Sequence, residues 1–227
     1  MTVRSARIWH AATAVVAFGG LAFALGLVVR GGQVLDDVQP PGLGLRLARF
    51  IAYFTVQSNL LVAVVTAQLA RDPLRDGPAW RPLRLAAVVG ITVTGVVHFV
   101  LLRPLVDLDG ADQVADTWLH TVVPLLALIG WALFGPRPRI DLRDIGLALC
   151  WPVAWVVVTL AVGGLTGWYP YPFLDHREEH GVLGVVLAVA AITAFFLLLF
   201  ALARYVDQRA RPAPEAWDPY RGGVAQP

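Results

Sequence analysis

Six long apolar stretches, separated by short polar segments, divide this sequence. They run approximately over residues 8–29, 47–70, 83–102, 117–134, 145–166 and 181–203. A helix needs about 20 predominantly apolar residues to cross a bilayer, and each stretch is close to that length. The pattern therefore predicts an all-α polytopic membrane protein in which residues 1–206 form a six-transmembrane-helix bundle.

The composition leaves no room for a separate soluble domain. Hydrophobic residues make up 57% of the chain and charged residues 15%, and the mean hydropathy is +0.65. An average soluble domain has roughly 45–50% apolar and about 25% charged residues. The last segment, 207–227, is rich in proline and polar residues and predicts a disordered tail. Cys150 is the single cysteine, which excludes an intramolecular disulfide.

The charge of the loops alternates along the chain. Arginine is in excess in the N-terminal segment, in the second and fourth loops and in the tail, whereas acidic residues are in excess in the first, third and fifth loops. The positive-inside rule then predicts that both termini are cytoplasmic. Arg46 and Arg49 lie at the outer start of the second stretch and depart from the rule. We interpret them as a binding site for an acidic group.

The basic residues also indicate the source and the partners. All 18 are arginine, and the chain is rich in alanine, valine and glycine, which is typical of a GC-rich genome. This composition favours a bacterial inner membrane. The arginines are spread over several loops without a basic, aromatic-rich cluster, so we expect no nucleic-acid partner.

One polar run interrupts the second apolar stretch. In "YFTVQSNLL", residues 53–61, Thr55, Ser58 and Asn59 share one helix face because of their i, i+3 and i+4 spacing. Gln57 points away from that face and is expected to contact another neighbour. Interhelical hydrogen bonds in membranes contribute only ~0.6 kcal/mol on average. Helix packing is therefore one interpretation of the run, and chemistry is the other.

Other polar groups fall at the same depth. With the predicted topology, His98 and His120 lie near the outer ends of their helices, and "GWYPYPFLDH", residues 167–176, closes the fifth helix on that side. Asp116 precedes His120 by one turn and can fix its tautomer. Polar groups in membrane helices usually face the bundle interior or a wet cavity. This outer cluster is the candidate site, whereas His10 is expected at the inner interface.

Three motifs resemble a known family. They are "YFTVQSNLL" at 53–61, "WLHTVVP" at 118–124 and "GWYPYPFLDH" at 167–176. The chain resembles the androgen-induced-protein family of multi-pass membrane hydrolases and its bacterial six-helix relatives over residues 45–200. Eukaryotic members are described as threonine hydrolases that cleave fatty acid esters of hydroxy fatty acids. The resemblance implies Thr55 as the threonine and His120 as the histidine of such a site.

The resulting expectation is an integral membrane hydrolase with a membrane lipid substrate. Thr55 is the expected nucleophile and His120 the expected base, with neither a cofactor nor a metal ion. The sequence leaves the oligomeric state open, and also three different functions: a haem or redox protein with His98 and His120 as ligands, a transporter, and a non-catalytic scaffold. The expected supporting or substrate-binding residues are Asn59, Ser58, Gln57, Arg49, Arg46, Asp116, His98, Trp168, Tyr171 and His176.

Overall fold

The regular structure of the described chain is entirely helical. The structure is a computed structural model and describes residues 2–31 and 41–209. Its α-helices are α1 (Val3–Arg30), α2 (Leu43–Ala52), α3 (Phe54–Arg71), α4 (Trp80–Val97), α5 (Gly110–Thr117), α6 (Val123–Phe134), α7 (Leu142–Thr166) and α8 (Gly181–Arg209). The predicted all-α class is confirmed for these residues. Most of the predicted tail lies outside them, and α8 continues through its first three residues.

Short turns of other helix types extend two of these helices. A π-helical turn, His98–Leu102, and a 3-10 turn, Arg103–Leu105, continue α4. Another π-helical turn, Trp118–Val122, joins α5 to α6. A second 3-10 turn, Pro172–Leu174, lies in the α7–α8 loop. The α5–α6 unit and the extended α4 are therefore each one long, locally rewound helix.

Five helical units are long and apolar enough to cross a membrane. They are α1, Trp80–Leu105, Gly110–Phe134, α7 and α8, and the bent pair of α2 and α3 is a sixth if it counts as one span. Length and composition thus agree with a helical membrane bundle. The large apolar side chains that α7 and α8 expose, such as Val157, Leu165, Leu183 and Leu198, suit a lipid-facing surface.

One part of the core lies where α1, α3, α4 and α6 meet, and another lies between α3, α4, α7 and α8. Ala17 of α1 and Ala63 of α3 are both fully buried, and Ile91 of α4 has no exposed surface either. Alanine at such a contact lets two helix backbones approach closely, which is how helices pack in a membrane. The extended α4 is the most buried of the apolar units and is therefore the centre of the bundle.

The second apolar stretch is not the single helix that its sequence predicts. It breaks at Tyr53, whose backbone is extended (φ −64°, ψ 130°), and α2 and α3 meet there at 68°. A helix break exposes carbonyl groups at the end of one helix and N–H groups at the start of the next. In an apolar medium each of these groups needs a hydrogen-bond partner, because water does not supply one.

Side chains from α3, α7 and the α7–α8 loop supply those partners. The indole Nε1 of Trp155 donates to the carbonyl of Ala52 at 2.9 Å. The amide Nε2 of Gln57 donates to the carbonyl of Ile51 at 3.1 Å, and Trp151 donates in turn to Gln57 Oε1 at 3.0 Å. On the other side of the break, the N–H of Thr55 donates to a tyrosine hydroxyl of the loop. The break is therefore a supported feature of the fold.

Removing these donors should destabilise the fold. We expect Gln57→Leu and Trp155→Phe to lower the free energy of unfolding by about 1–3 kcal/mol each, because a backbone carbonyl at the break loses its donor in an apolar medium. Thermal or denaturant unfolding in detergent measures the change. Gln68→Leu is the matched control, since the side-chain amide of Gln68 makes no hydrogen bond within the described residues. Equal stability of Gln57→Leu and Gln68→Leu would contradict the assignment.

Candidate active site

Thr55 and His120 lie within hydrogen-bond distance of each other. Thr55 is in the first turn of α3, directly after the break, and its side chain is buried. His120 is on the π-helical turn that precedes α6. The distance between Thr55 Oγ1 and His120 Nε2 is 3.1 Å. The two residues that the sequence pairs are thus neighbours in the structure.

A carboxylate joins two histidines behind this pair. Asp116 Oδ1 lies 2.9 Å from His120 Nδ1, and Asp116 Oδ2 lies 3.2 Å from His98 Nε2. The two imidazole rings stack with their centroids 3.8 Å apart and an interplanar angle of 11°. Since His120 Nδ1–H donates to the carboxylate, His120 Nε2 is the nitrogen that can accept the proton of Thr55. His98, expected in a packing or supporting role, binds the second oxygen of Asp116.

The backbone around His120 is rewound because of a proline. Pro124 lacks the N–H that would bond to the carbonyl of His120 in a regular α-helix. The π-helical turn Trp118–Val122 accommodates this loss, and such turns are frequent at functional sites. Gly95 of α4 packs against the same carbonyl, because a Cβ at Gly95 would lie 3.1 Å from it. The close approach of α4 brings His98 beside His120.

The phenol of Tyr171 completes the surroundings of Thr55. Its hydroxyl lies 3.3 Å from Thr55 Oγ1 and accepts a hydrogen bond from the Thr55 backbone N–H, also at 3.3 Å. Tyr171 is buried, and burial raises the pKa of its phenol above the ordinary value. The phenol therefore stays protonated and can donate its proton towards Thr55 Oγ1 or towards a group bound beside it.

An ion pair fixes the loop that carries Tyr171. Arg177 donates to both carboxylate oxygens of Asp175, at 2.8 and 2.6 Å, and also to the carbonyl of Gly167 at the end of α7. The hydrogen bond from Arg177 is the main reason that the pKa of Asp175 is lowered to about 2. Leu174 of the same loop is 2% exposed and packs in the core. Tyr171 is thus held from both sides.

The other polar residues of the run in α3 serve the backbone. Asn59 Nδ2 donates to the carbonyls of Thr55 and Leu119, at 2.8 and 3.2 Å. Ser58 Oγ donates to the carbonyl of Thr55 at 3.0 Å and lies 2.8 Å from the hydroxyl of Thr94. The sequence analysis expects Asn59, Ser58 and Gln57 as supporting or substrate-binding residues, which would need free donors. In the structure these donors are already engaged, and Gln57 supports the helix break instead.

The remaining predicted residues lie at different distances from the pair. The guanidinium of Arg49 sits 5.1 Å from the ring centroid of Trp168, and Trp168 contacts Tyr53 edge to face. Both residues therefore border the break. Arg46 packs near the end of α1, with its Nη1 beside Gly31. His176 is exposed, and its Nδ1 lies 3.2 Å from the hydroxyl of Tyr169. Neither Arg46 nor His176 contacts Thr55 or His120.

Two apolar clefts meet at Thr55. The α1–α5 cleft has a volume of about 140 Å³ and is lined by Ala24, Leu27 and Val28 of α1, by Asp112 and Ala115 of α5, by Val106 and by the His98, Asp116 and His120 cluster. The α7–α8 cleft has a volume of about 100 Å³ and is lined by Leu149, Val153 and Val156 of α7 and by Val189, Ile192 and Phe196 of α8. Thr55, Leu102 and Tyr171 line both clefts.

The histidine–carboxylate cluster also has the composition of a metal site. His98, Asp116 and His120 offer three ligand atoms that all lie within 4.8 Å of one another. Imidazole and carboxylate ligands of this kind suit zinc and related ions. The arrangement is therefore chemically able either to relay a proton from Thr55 or to hold a cation.

The opposite end of the bundle contains polar groups that the sequence does not indicate. His10, expected at the interface, is only 3% exposed, and neither ring nitrogen has a hydrogen-bond partner within the described residues. Arg84 and His10 both line a small cavity of about 30 Å³ that also borders Thr66. The sequence around His10 does not predict this burial, because it results from the packing of neighbouring helices.

Comparisons with known proteins assign no family to this geometry. A scan against protein-family models, a search of curated proteins and a search of solved structures each find no match.

Proposed function

We propose that this protein is an integral membrane hydrolase that cleaves fatty acyl esters with Thr55 as its nucleophile. The observation that carries the proposal is the hydrogen-bonded series from Thr55 Oγ1 through the His120 ring to Asp116, placed where two apolar clefts meet. A nucleophile, a base and a group that orients the base form the pattern expected of an activated hydroxyl. The clefts suit hydrocarbon chains.

In the first half-reaction, Thr55 Oγ1 attacks the ester carbonyl carbon. His120 Nε2 takes the hydroxyl proton as the new C–O bond forms, and it then gives that proton to the oxygen of the departing alcohol as the original ester bond breaks. The products are an acyl-threonine ester and a free alcohol. Asp116 holds the His120 tautomer and stabilises the imidazolium through the Nδ1 hydrogen bond of 2.9 Å.

In the second half-reaction, water replaces the alcohol. His120 Nε2 takes a proton from the water as its oxygen attacks the acyl carbon, and it returns the proton to Thr55 Oγ1 when the acyl bond breaks. The acid leaves and the hydroxyl is restored. In both steps the carbonyl oxygen gains negative charge, and the Tyr171 hydroxyl is the donor placed to stabilise it.

His98 acts through Asp116 and not on the substrate. Its Nε2–H donates to Asp116 Oδ2 at 3.2 Å, so the carboxylate cannot rotate away from His120 without losing a hydrogen bond. Stacking of the two rings adds a second restraint on the orientation of the base. We assign His98 as a positioning residue.

The membrane arrangement is part of the proposal. Six spans, with α2 and α3 together forming the second, would place both termini in the cytoplasm, as the arginine distribution favours. Thr55 and His120 would then lie near the extracytoplasmic face of a bacterial inner membrane. The resemblance to androgen-induced-protein-like hydrolases supports the same assignment and suggests esters of hydroxy fatty acids as one substrate group.

A metal-dependent hydrolase is the second candidate, favoured by the ligand set of His98, Asp116 and His120. In such an enzyme the ring nitrogens of His98 and His120 and the carboxylate of Asp116 would bind an ion instead of forming hydrogen bonds with one another. Thr55 would then not need to react.

A haem protein, a transporter and a scaffold fit the geometry less well. The rings of His98 and His120 lie face to face, whereas axial ligands of a haem must point at each other across the iron. A transport path would have to pass the fully buried layer of Val62, Ile91 and Val123, which separates the clefts from the opposite end. A non-catalytic scaffold has no need of a base directed at a buried hydroxyl.

Loss of the Thr55 hydroxyl should abolish the chemistry. We expect Thr55→Val to prevent covalent labelling by a fluorophosphonate probe and to lower ester hydrolysis by roughly three or more orders of magnitude, because the attacking oxygen is lost. Gel-based labelling and fluorogenic ester turnover in detergent or nanodiscs measure both. Thr66→Val is the matched control, since Thr66 is a buried threonine of the same helix whose hydroxyl bonds only to carbonyls of that helix.

Two further variants sharpen this test. Thr55→Ser keeps a hydroxyl and should retain labelling, whereas Tyr171→Phe should label but hydrolyse about 10²–10³-fold more slowly, because it removes the donor to the oxyanion. Labelling of the Thr55→Val protein at the parent's rate would exclude Thr55 as the nucleophile.

Threonine chemistry needs no metal ion. If it operates, activity should survive dialysis against 1,10-phenanthroline, and elemental analysis of the active protein should find no stoichiometric metal. Loss of activity on dialysis, restored by one added ion, together with an active Thr55→Val protein, would select the metal-dependent hydrolase.

The proposed topology places the α7–α8 loop outside the cytoplasm. In a Cys150→Ser background, Glu179→Cys in this loop should react with a membrane-impermeant maleimide in intact spheroplasts. Asp72→Cys and Arg143→Cys, at the predicted cytoplasmic ends, should react only after lysis. All three positions are exposed, so denatured samples provide the labelling maximum. The reverse pattern would invert the proposed topology.

A further inference from the structure

The two clefts at Thr55 differ in their lining, because the ionisable residues Asp112, Asp116 and His120 border only the α1–α5 cleft. This inference rests on the proposed ester hydrolysis. We propose that, in an ester with a hydrocarbon chain on each side, the α7–α8 cleft binds the acyl chain and the α1–α5 cleft binds the alcohol chain.

The position of Thr55 allows a bound substrate to extend one chain into each cleft. Thr55 and Tyr171 line both clefts, so an ester carbonyl next to Thr55 Oγ1 lies at their junction. Each cleft is close in size to an apolar cavity of about 150 Å³ that holds a benzene molecule. An ester with a very small group on either side would leave one cleft without an apolar occupant, and burial of that apolar surface would be lost.

The position of the base decides which chain lies where. His120 lines the α1–α5 cleft and is not among the residues that line the α7–α8 cleft. The departing alcohol oxygen must receive its proton from His120 Nε2, so it leaves on the side of the α1–α5 cleft. The acyl chain stays bonded to Thr55 Oγ1 after that step and is directed to the other side.

The linings match this assignment. Among the described residues that line the α7–α8 cleft, none is charged. Phe54 and Phe196 border it together with aliphatic side chains, and Thr94 and Thr193 add only neutral hydroxyl groups, which suits a hydrocarbon acyl chain. The α1–α5 cleft has Asp112 in its wall besides the Asp116 cluster. A carboxylate there can accept a hydrogen bond from a hydroxyl, so we expect hydroxyl substituents to be tolerated on the alcohol chain.

Two matched variants test the assignment. Val153 lines only the α7–α8 cleft and Val106 lines only the α1–α5 cleft. Val153 is 54% exposed and Val106 is half-buried, so a larger side chain can be accommodated without disturbing the core. The readout is kcat/KM for two ester series, one with a constant medium-chain alcohol and an acyl chain of increasing length, and the other with a constant medium-chain acyl group and an alcohol chain of increasing length.

We expect the parent protein to prefer longer chains in both series. Val153→Phe should lower kcat/KM for long-acyl esters by about tenfold or more relative to short ones, without changing the alcohol preference. Val106→Phe should do the reverse. Val153→Ala and Val106→Ala should shift each preference towards longer chains, so the test does not depend on the phenylalanine variants folding.

Different results would contradict the proposed ester hydrolysis and the assignment of the chains to the clefts. A parent protein that hydrolyses neither series would remove the proposed function, and this inference with it. A parent protein that is active, but in which Val153→Phe changes only the alcohol preference or Val106→Phe only the acyl preference, would reverse the chain assignment alone. Equal effects of both variants on both series would show that the two clefts are not separate chain sites.

Discussion

A backbone break inside an apolar helix pair is the constraint on which the site depends. Free N–H and carbonyl groups cannot remain without partners where water is excluded. The break at Tyr53 creates such groups on both sides, and their partners fix the surroundings. Trp155 of α7 donates to the end of α2, Trp151 of α7 donates to Gln57, and the phenol of Tyr171 accepts from the start of α3. Thr55 lies in the first turn after the break, and its own N–H is the group that meets this phenol.

The carboxylate of Asp116 has a similar organising effect on the opposite wall. One side chain receives hydrogen bonds from two histidines that belong to different helical units, so it links the extended α4 to the α5–α6 unit. Both units change to π-helical geometry at these histidines. A rewound turn displaces a side chain from the regular helical position, and here the displacement brings the two rings into a stack.

Much of the fold is readable from the sequence, because apolar runs of bilayer length have few options besides a helix. The break at Tyr53 is not readable in this way. Neither proline nor glycine lies there, and the groups that satisfy it come from Trp151, Trp155 and Tyr171, about a hundred residues further along the chain. The ends of the helices also differ from the predicted ones, since α5 begins at Gly110 and α8 extends to Arg209.

The candidate site is partly readable for the same physical reasons. The spacing of Asp116 and His120 indicates their contact, because residues four apart share a helix face. The roles of Ser58, Asn59 and Gln57 are not readable, since polar side chains in a helix can serve either a substrate or the backbone, and here they serve the backbone. The burial of His10 depends on the packing of neighbouring helices, so no pattern in the sequence around it predicts that burial.

The shared position of Thr55 between two clefts also bears on the order of events in a catalytic cycle. With the proposed chemistry, the alcohol departs while the acyl group remains attached, and the space that it vacates is the one bordered by His120. The second reactant therefore enters directly beside the base. In a membrane, lipid hydroxyl groups would compete with scarce water for that space. The same architecture would then transfer acyl groups between alcohols, and the local supply of water would set the balance between transfer and hydrolysis.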